Sequence, residues 1–183
     1  MKKHLVAAPD GWLDDTVIDA VNNLVRMEIG GHQHQSTLLA QHPSGFDTVD
    51  TESIHVLHDK DHWIATACIA DEVLFADSMG IGVSEYVGGQ MKQLYSRLLD
   101  STTGKLKVTI TPCPRQTNAS DCGVYASAVA FEWATGNPKI PQTWNVPVMR
   151  QHLLACLEGE SVLRFPQGQN KRGRRPMPHT SLI

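Results

Sequence analysis

Residues 114–136 read PRQTNASDCGVYASAVAFEWATG, a polar loop that passes directly into an apolar helix. The loop is Gln116-Thr117-Asn118-Ala119-Ser120, closed by Asp121. From Cys122 to Thr135 the chain is rich in Ala, Val and aromatic residues, and Gly136 stands where a glycine ends a helix. Cys122 therefore falls in the first turn of a buried helix. A thiolate there faces backbone N–H groups and the positive end of the helix dipole, which together favour ionisation. Gly123 leaves room for a substrate carbonyl to approach the backbone. A buried cysteine is more often a small hydrophobe than a nucleophile, so Cys122 needs partners before it implies chemistry.

Upstream, Leu106, Val108 and Ile110 alternate as a strand that Pro112 and Pro114 stop. Three further β-like runs occupy residues 53–58, 62–69 and 73–77, with turns at Asp59-Lys60-Asp61 and Ala70-Asp71-Glu72, which predicts a meander. Helical spacing appears in Val17, Ile18, Val21, Leu24 and Val25, after a capping Asp14 or Asp15. It recurs from Ser84 to Leu99 through Tyr86, Val87, Met91, Leu94, Tyr95, Leu98 and Leu99. A last helix is expected from about Pro147, a good first-turn residue, through Met149, Leu153, Leu154 and Leu157 to Gly159. Residues 30–50 read as a loop or short strands. The pattern is an α+β domain over residues 1–159, with helices around a central, mixed and largely antiparallel sheet. Residues 160–183 lack core-forming content and are expected to be a disordered basic tail.

Three residues offer Cys122 its partners. His62 opens the strand-like run HWIATACI, and an imidazole beside a thiolate holds the ion pair and later protonates a leaving amine. It is also one of nine histidines, and on a strand edge its bland role is solvation. Asp77 ends the apolar run Val73-Leu74-Phe75-Ala76, where a carboxylate can fix the tautomer of a neighbouring imidazole, or simply make a turn. Gln116 precedes the cysteine across the loop; its side-chain amide and the Cys122 backbone N–H would together make an oxyanion hole.

In this order and setting the residues resemble the ubiquitin-like-modifier proteases, the family of the SUMO-specific proteases and the adenovirus-type proteinase. Four stretches carry the likeness: Trp12-Leu13-Asp14-Asp15 before an apolar helix, His62-Trp63, Asp77-Ser78 after an apolar strand, and Gln116-x-Asn118-x-x-Asp121-Cys122-Gly123, the most specific of them. The resemblance covers about residues 12–135 and implies a papain-like superfold with the chain order His, Asp, Cys. It implies His62 as base, Asp77 as triad acid, Cys122 as nucleophile and Gln116 as oxyanion donor, with no cofactor. It further implies that Trp12 and Trp63 flank a narrow tunnel admitting an extended Gly-Gly segment. The expected substrate is a ubiquitin-like modifier (SUMO, NEDD8 or ubiquitin), its conjugates, or a viral or transposon precursor cut at small residues. Eleven residues precede Trp12, which points to a compact viral, transposon-derived or effector-type protease.

Composition is consistent with these expectations. Hydrophobic residues make up 41% and charged residues 19%, as in soluble globular proteins. The net charge of −3 divides unevenly: residues 1–159 hold 11 basic against 18 acidic residues, or −7, while residues 160–183 hold five against one. An acidic body argues against a broad nucleic-acid-binding face, leaving Lys171-Arg172-Gly173-Arg174-Arg175 for weak phosphate contact or nuclear import. No run approaches the roughly 20 apolar residues of a membrane span, and the N-terminus does not read as a secretory signal. Four irregularly spaced cysteines suggest no disulfide framework, so a reducing compartment, cytoplasm or nucleus (of a host cell for a viral or effector protein), is expected. Two rival readings stand. One is a domain of the same fold that binds a ubiquitin-like protein without cutting it. The other is a metal-dependent hydrolase built on His55, His58, Asp61 and His62, for which strand geometry spreads the side chains and no His-Glu-x-x-His acid is present.

Overall fold

The three apolar runs form β1 (Ser53–Asp59), β2 (His62–Ile69) and β3 (Glu72–Ala76), an antiparallel meander. The structure is a computed structural model and describes residues 1–137 and 139–183. The β2–β3 connection is a two-residue turn, Ala70-Asp71, with both residues at positive φ (49° and 59°), the backbone of a type I′ hairpin. β4 (Lys107–Ile110) joins the far side of β3 in parallel, and β5 (His179–Leu182) pairs antiparallel with β4. The sheet order is β1-β2-β3-β4-β5. Parallel pairing of β3 and β4 requires a crossover, which α3 (Glu85–Leu94) and a 3₁₀ turn at Ser96–Leu98 supply.

Helices cover both faces of the sheet, which explains why the strands read as near-continuous apolar runs. One face presents Ile54, Val56, Trp63, Ala65, Ala67, Leu74 and Ala76 to α2 (Asp15–Ile29) and α4 (Cys122–Ala134). The opposite face presents Leu57, Ile64, Cys68, Val73, Phe75 and Val108 to Val87, Met91 and Leu94 of α3 and to Tyr95. α4 is apolar on every face but for Ser127 and Glu132, because its whole length to Trp133 is buried. Alanines on both α4 and the underlying strands let helix and sheet approach closely. Around them lie α1 (Lys3–Ala7) and α5 (Val146–Glu158). Asp14 caps α2 by accepting from the Val17 N–H, and Ser84 caps α3 by accepting from the Val87 N–H.

Three expectations are corrected. The helix expected over residues 84–99 ends at Leu94, and the loop 30–50 contains a 3₁₀ turn at Thr37–Gln41. The segment 160–183 is not a disordered tail: Val162 and Phe165 lie in the core, and His179–Leu182 is the fifth strand. That strand is held by pairing with β4 and by mutual backbone bonds of 3.0 Å between Leu106 and Ile183, which a hydrophobic pattern does not reveal. Residues 171–175 are exposed. Among the described residues no helix is long and apolar enough to cross a membrane.

Candidate active site

β2 begins at His62, and its register aligns Ala65 with Ala76, so the chain leaving β3 carries Asp77 alongside the start of β2. His62 Nε2 and Asp77 Oδ1 are 2.5 Å apart. With Nε2 taken, the ring's other nitrogen is left for Cys122, which opens α4. Burial pulls the His62 pKa down, but the hydrogen bonds with Asp77 and Cys122 and the charges of both outweigh it, raising the ring to about 9. At neutral pH His62 is an imidazolium between a carboxylate and a sulfur.

Asp77 is held by more than the ring. Its carboxylate accepts from the Met79 N–H (2.8 Å), the Ile81 N–H (2.7 Å) and the Gly82 N–H (3.3 Å), so the loop after β3 wraps around it. Burial raises the carboxyl pKa, yet the His62 bond, the backbone N–H groups and the imidazolium charge hold it below the ordinary aspartate range. Arg115 donates to the Met79 carbonyl from across the site. At Gly80 the backbone has φ 66°, a conformation that favours glycine, and the Arg115 guanidinium packs over it.

Gln116 is fixed at both ends of its amide. The Ser78 hydroxyl donates to Gln116 Oε1 at 2.5 Å, and Gln116 Nε2 donates to the Asn118 carbonyl at 2.7 Å. The backbone closes the same contact, Gln116 N–H to Ser78 carbonyl at 3.1 Å. The second Nε2 proton is available to a ligand. Ser78 thus aligns the amide, a role that turn chemistry alone did not announce. Asn118 Oδ1 accepts from the Ser120 and Asp121 N–H groups (3.0 and 2.9 Å) and sets the turn into α4. Cys122, at the first position of α4, is 1% exposed.

The two tryptophans have different roles. Trp63 is 6% exposed, donates Nε1–H to the Leu13 carbonyl at 2.8 Å and lies against His58. Trp12 is 48% exposed. Both line a groove of about 620 Å³ bounded by residues 12–15, the 3₁₀ turn at Thr37–Gln41 and residues 58–63. The two tryptophans expected to wall a tunnel here line a groove, Trp12 exposed and Trp63 buried. Gly123 packs closely against its neighbours. A Cβ there would meet Leu13 Cβ and Cδ1 at 3.1 Å and Ile18 Cδ1 at 3.3 Å, so the glycine lets α4 pack against Leu13 and the first turn of α2. His55, His58, Asp61 and His62 do not converge: Asp77 engages His62 and Trp63 stacks on His58. Among the described residues no group of three or more His, Cys, Asp or Glu side chains is arranged to hold a metal.

The sheet flanked by helices holds His62 beside Asp77, with Cys122 opening α4 later in the chain. The fold is that of SUMO protease catalytic domains. The SUMO protease Ulp1 with its catalytic cysteine oxidised to a sulfenic acid superposes with a TM-score of 0.62 at 15% identity, covering 84% of this chain and 80% of that one. The C-terminal Ulp1 protease domain in complex with Smt3, the yeast ortholog of SUMO, gives 0.58 at 15% identity over 84% and 79%. The Chaetomium thermophilum Ulp1-like SUMO protease catalytic domain gives 0.55 at 21% identity over 84% and 75%. No protein-family model and no curated protein matches the sequence.

Proposed function

We propose that the chain is a cysteine peptidase that cleaves after the Gly-Gly terminus of a ubiquitin-like modifier, processing its precursor or releasing it from a conjugate. The observation that carries this reading is the His62 ring held by the Asp77 carboxylate at 2.5 Å, with Cys122 at the start of α4 and, beside Asp77, raising the pKa of that ring. The SUMO protease fold supports the substrate class. The groove lined by Trp12 and Trp63, which neighbours His62 in sequence, supports a surface for an extended peptide. A precursor of viral or transposon origin is the second source of such a peptide.

The chemistry follows from the geometry. The Cys122 thiolate attacks the carbonyl carbon after the second glycine. The developing oxyanion takes hydrogen bonds from the Cys122 N–H and the free Nε2 proton of Gln116. The His62 imidazolium gives its proton to the leaving amine, and water, activated by the now neutral ring, then cleaves the thioester. Asp77 keeps the ring oriented and stabilises its charge. Such a thiol calls for a reducing compartment, cytosol or nucleus, and the exposed 171–175 stretch would add weak phosphate contacts there.

Modifier–peptide fusions of SUMO, NEDD8 and ubiquitin test the reading. Cutting after Gly-Gly in one of them, abolished in Cys122→Ala while binding persists, is expected. Binding without cutting by the native chain would instead support a silent binding module. Cutting that survives Cys122→Ala would exclude the mechanism.

A further inference from the structure

α4 begins without a side-chain cap, although the residue at its cap position, Asp121, is of a type that ordinarily caps helices. Elsewhere in the same chain Asp14 and Ser84 do cap α2 and α3. The Asp121 carboxylate is occupied in the opposite direction. Its Oδ1 accepts from Arg150 Nε at 2.9 Å and Nη2 at 2.6 Å, and its Oδ2 accepts from Asn118 Nδ2 at 2.8 Å. Arg150, on α5, also donates to the carbonyls of Leu5 (3.0 Å), Val6 (3.4 Å), Gly11 (2.7 Å) and Ser120 (3.4 Å). Arg150 and Asp121 are each only 11% exposed. This is a buried, fully engaged guanidinium, whose planar fork a lysine does not reproduce.

We infer that Arg150 is the positioning residue of the nucleophile, drawing the Asp121 carboxylate off the start of α4 so that the helix's first N–H groups stay open to the reacting sulfur and carbonyl oxygen. Released, the carboxylate would swing onto its own helix, accept from those N–H groups and set a negative charge beside Cys122. Both changes oppose an anion at that place. Because Arg150 also holds the Gly11 carbonyl, next to Trp12, one side chain fixes the nucleophile's loop and the groove's exposed aromatic together.

The inference rests on Cys122 being the nucleophile, and its test needs no peptide substrate. Alkylation of the folded chain by iodoacetamide at pH 7 is followed by mass spectrometry, cysteine by cysteine. Arg150→Met is expected to slow Cys122 about tenfold, the order of effect of one nearby charge. Adding Asp121→Ala to it is expected to restore most of the rate, because the competing carboxylate is gone. A merely structural role predicts no such rescue, so a doubly substituted chain as slow as Arg150→Met overturns the inference, as does an Arg150→Met chain as fast as the native one. If Arg150→Met does not fold, Arg150→Lys is used with and without Asp121→Ala, with the same expected slowing and rescue. A native Cys122 no more reactive than Cys156 would remove the nucleophile itself, a failure distinct from the other two.

Discussion

Gln116 and Asp77 show how little freedom the residues proposed to react retain. The Gln116 amide is clamped by Ser78 on one side and the Asn118 carbonyl on the other, leaving one proton for an oxyanion. Replacing it with alanine is expected to lower kcat by about 10²–10³ with the fold intact, the usual loss for one oxyanion donor; a change under threefold in steady-state kinetics would remove it from the oxyanion hole. Asp77 accepts from the His62 ring and from three backbone N–H groups, which an amide cannot all satisfy. Asp77→Asn is therefore expected to cut the rate sharply while circular dichroism stays native; an unaffected rate would take Asp77 out of the triad. Much of this was legible in the sequence, since residues 116–123 carry their own motif and His62 and Asp77 stand at the ends of patterned strands. Arg150 and Ser78 were not legible. They act through hydrogen bonds to residues far away in the chain, Arg150 reaching Leu5 and Gly11, and no periodicity encodes that. The packing of Gly123 against Leu13 and Ile18 was not legible either, because a glycine beside a cysteine and a glycine against a packed neighbour look the same in sequence.

The β2–β3 hairpin places His62 and Asp77 side by side, and its turn strains Ala70 at φ 49°. A left-handed alanine costs about 1–2 kcal/mol that glycine avoids, part of it returned through glycine's greater unfolded-state entropy. Ala70→Gly is thus expected to raise stability by roughly 0.5–1 kcal/mol, one to a few degrees in Tm for a chain this size; calorimetry showing a lower Tm would contradict the turn geometry. The meander and the helix of Cys122 were legible because apolar periodicity changes at their boundaries. β5 was not, since His179-Thr180-Ser181-Leu182 is short and polar, and only an available sheet edge makes it a strand. Deleting residues 178–183 is expected to lower Tm by several degrees; an unchanged melt would show that β5 adds nothing to the fold.

Across the whole molecule, α4 sits between the sheet and the outer helices, so the site inherits the rigidity of the core. Buried histidines give the fold a direction in pH. His55 is fully enclosed, its Nε2 has no hydrogen-bond partner, and its ring lies tilted against His32 with centroids 5.0 Å apart; burial first, then the charges of His32 and His34, lower its pKa to about 3. A histidine that binds its proton more weakly folded than unfolded contributes stability above about 6.5, lost as pH falls toward 3. His62, raised to about 9, works in the opposite sense, favouring the fold below about 6.5 and losing that contribution as pH rises through 9. Chemical denaturation is expected to show a stability maximum near neutrality and a steep acid loss, shallower in His55→Gln. Equal acid slopes would mean that His55 is protonated without cost in the folded state.

The central claim is that Cys122, held by His62 and Asp77, is a nucleophile for the C-terminus of a ubiquitin-like protein. Its most direct test is labelling with SUMO, NEDD8 and ubiquitin that carry a C-terminal electrophile, read by intact mass with Cys122→Ala as control. A covalent adduct with one modifier, confined to Cys122 and slowed in His62→Ala, is the predicted result. Rapid alkylation of Cys122 by a simple haloacetamide with no adduct from any modifier would contradict the substrate class and leave a precursor protease with its own cleavage site; adducts that persist in Cys122→Ala would contradict the nucleophile.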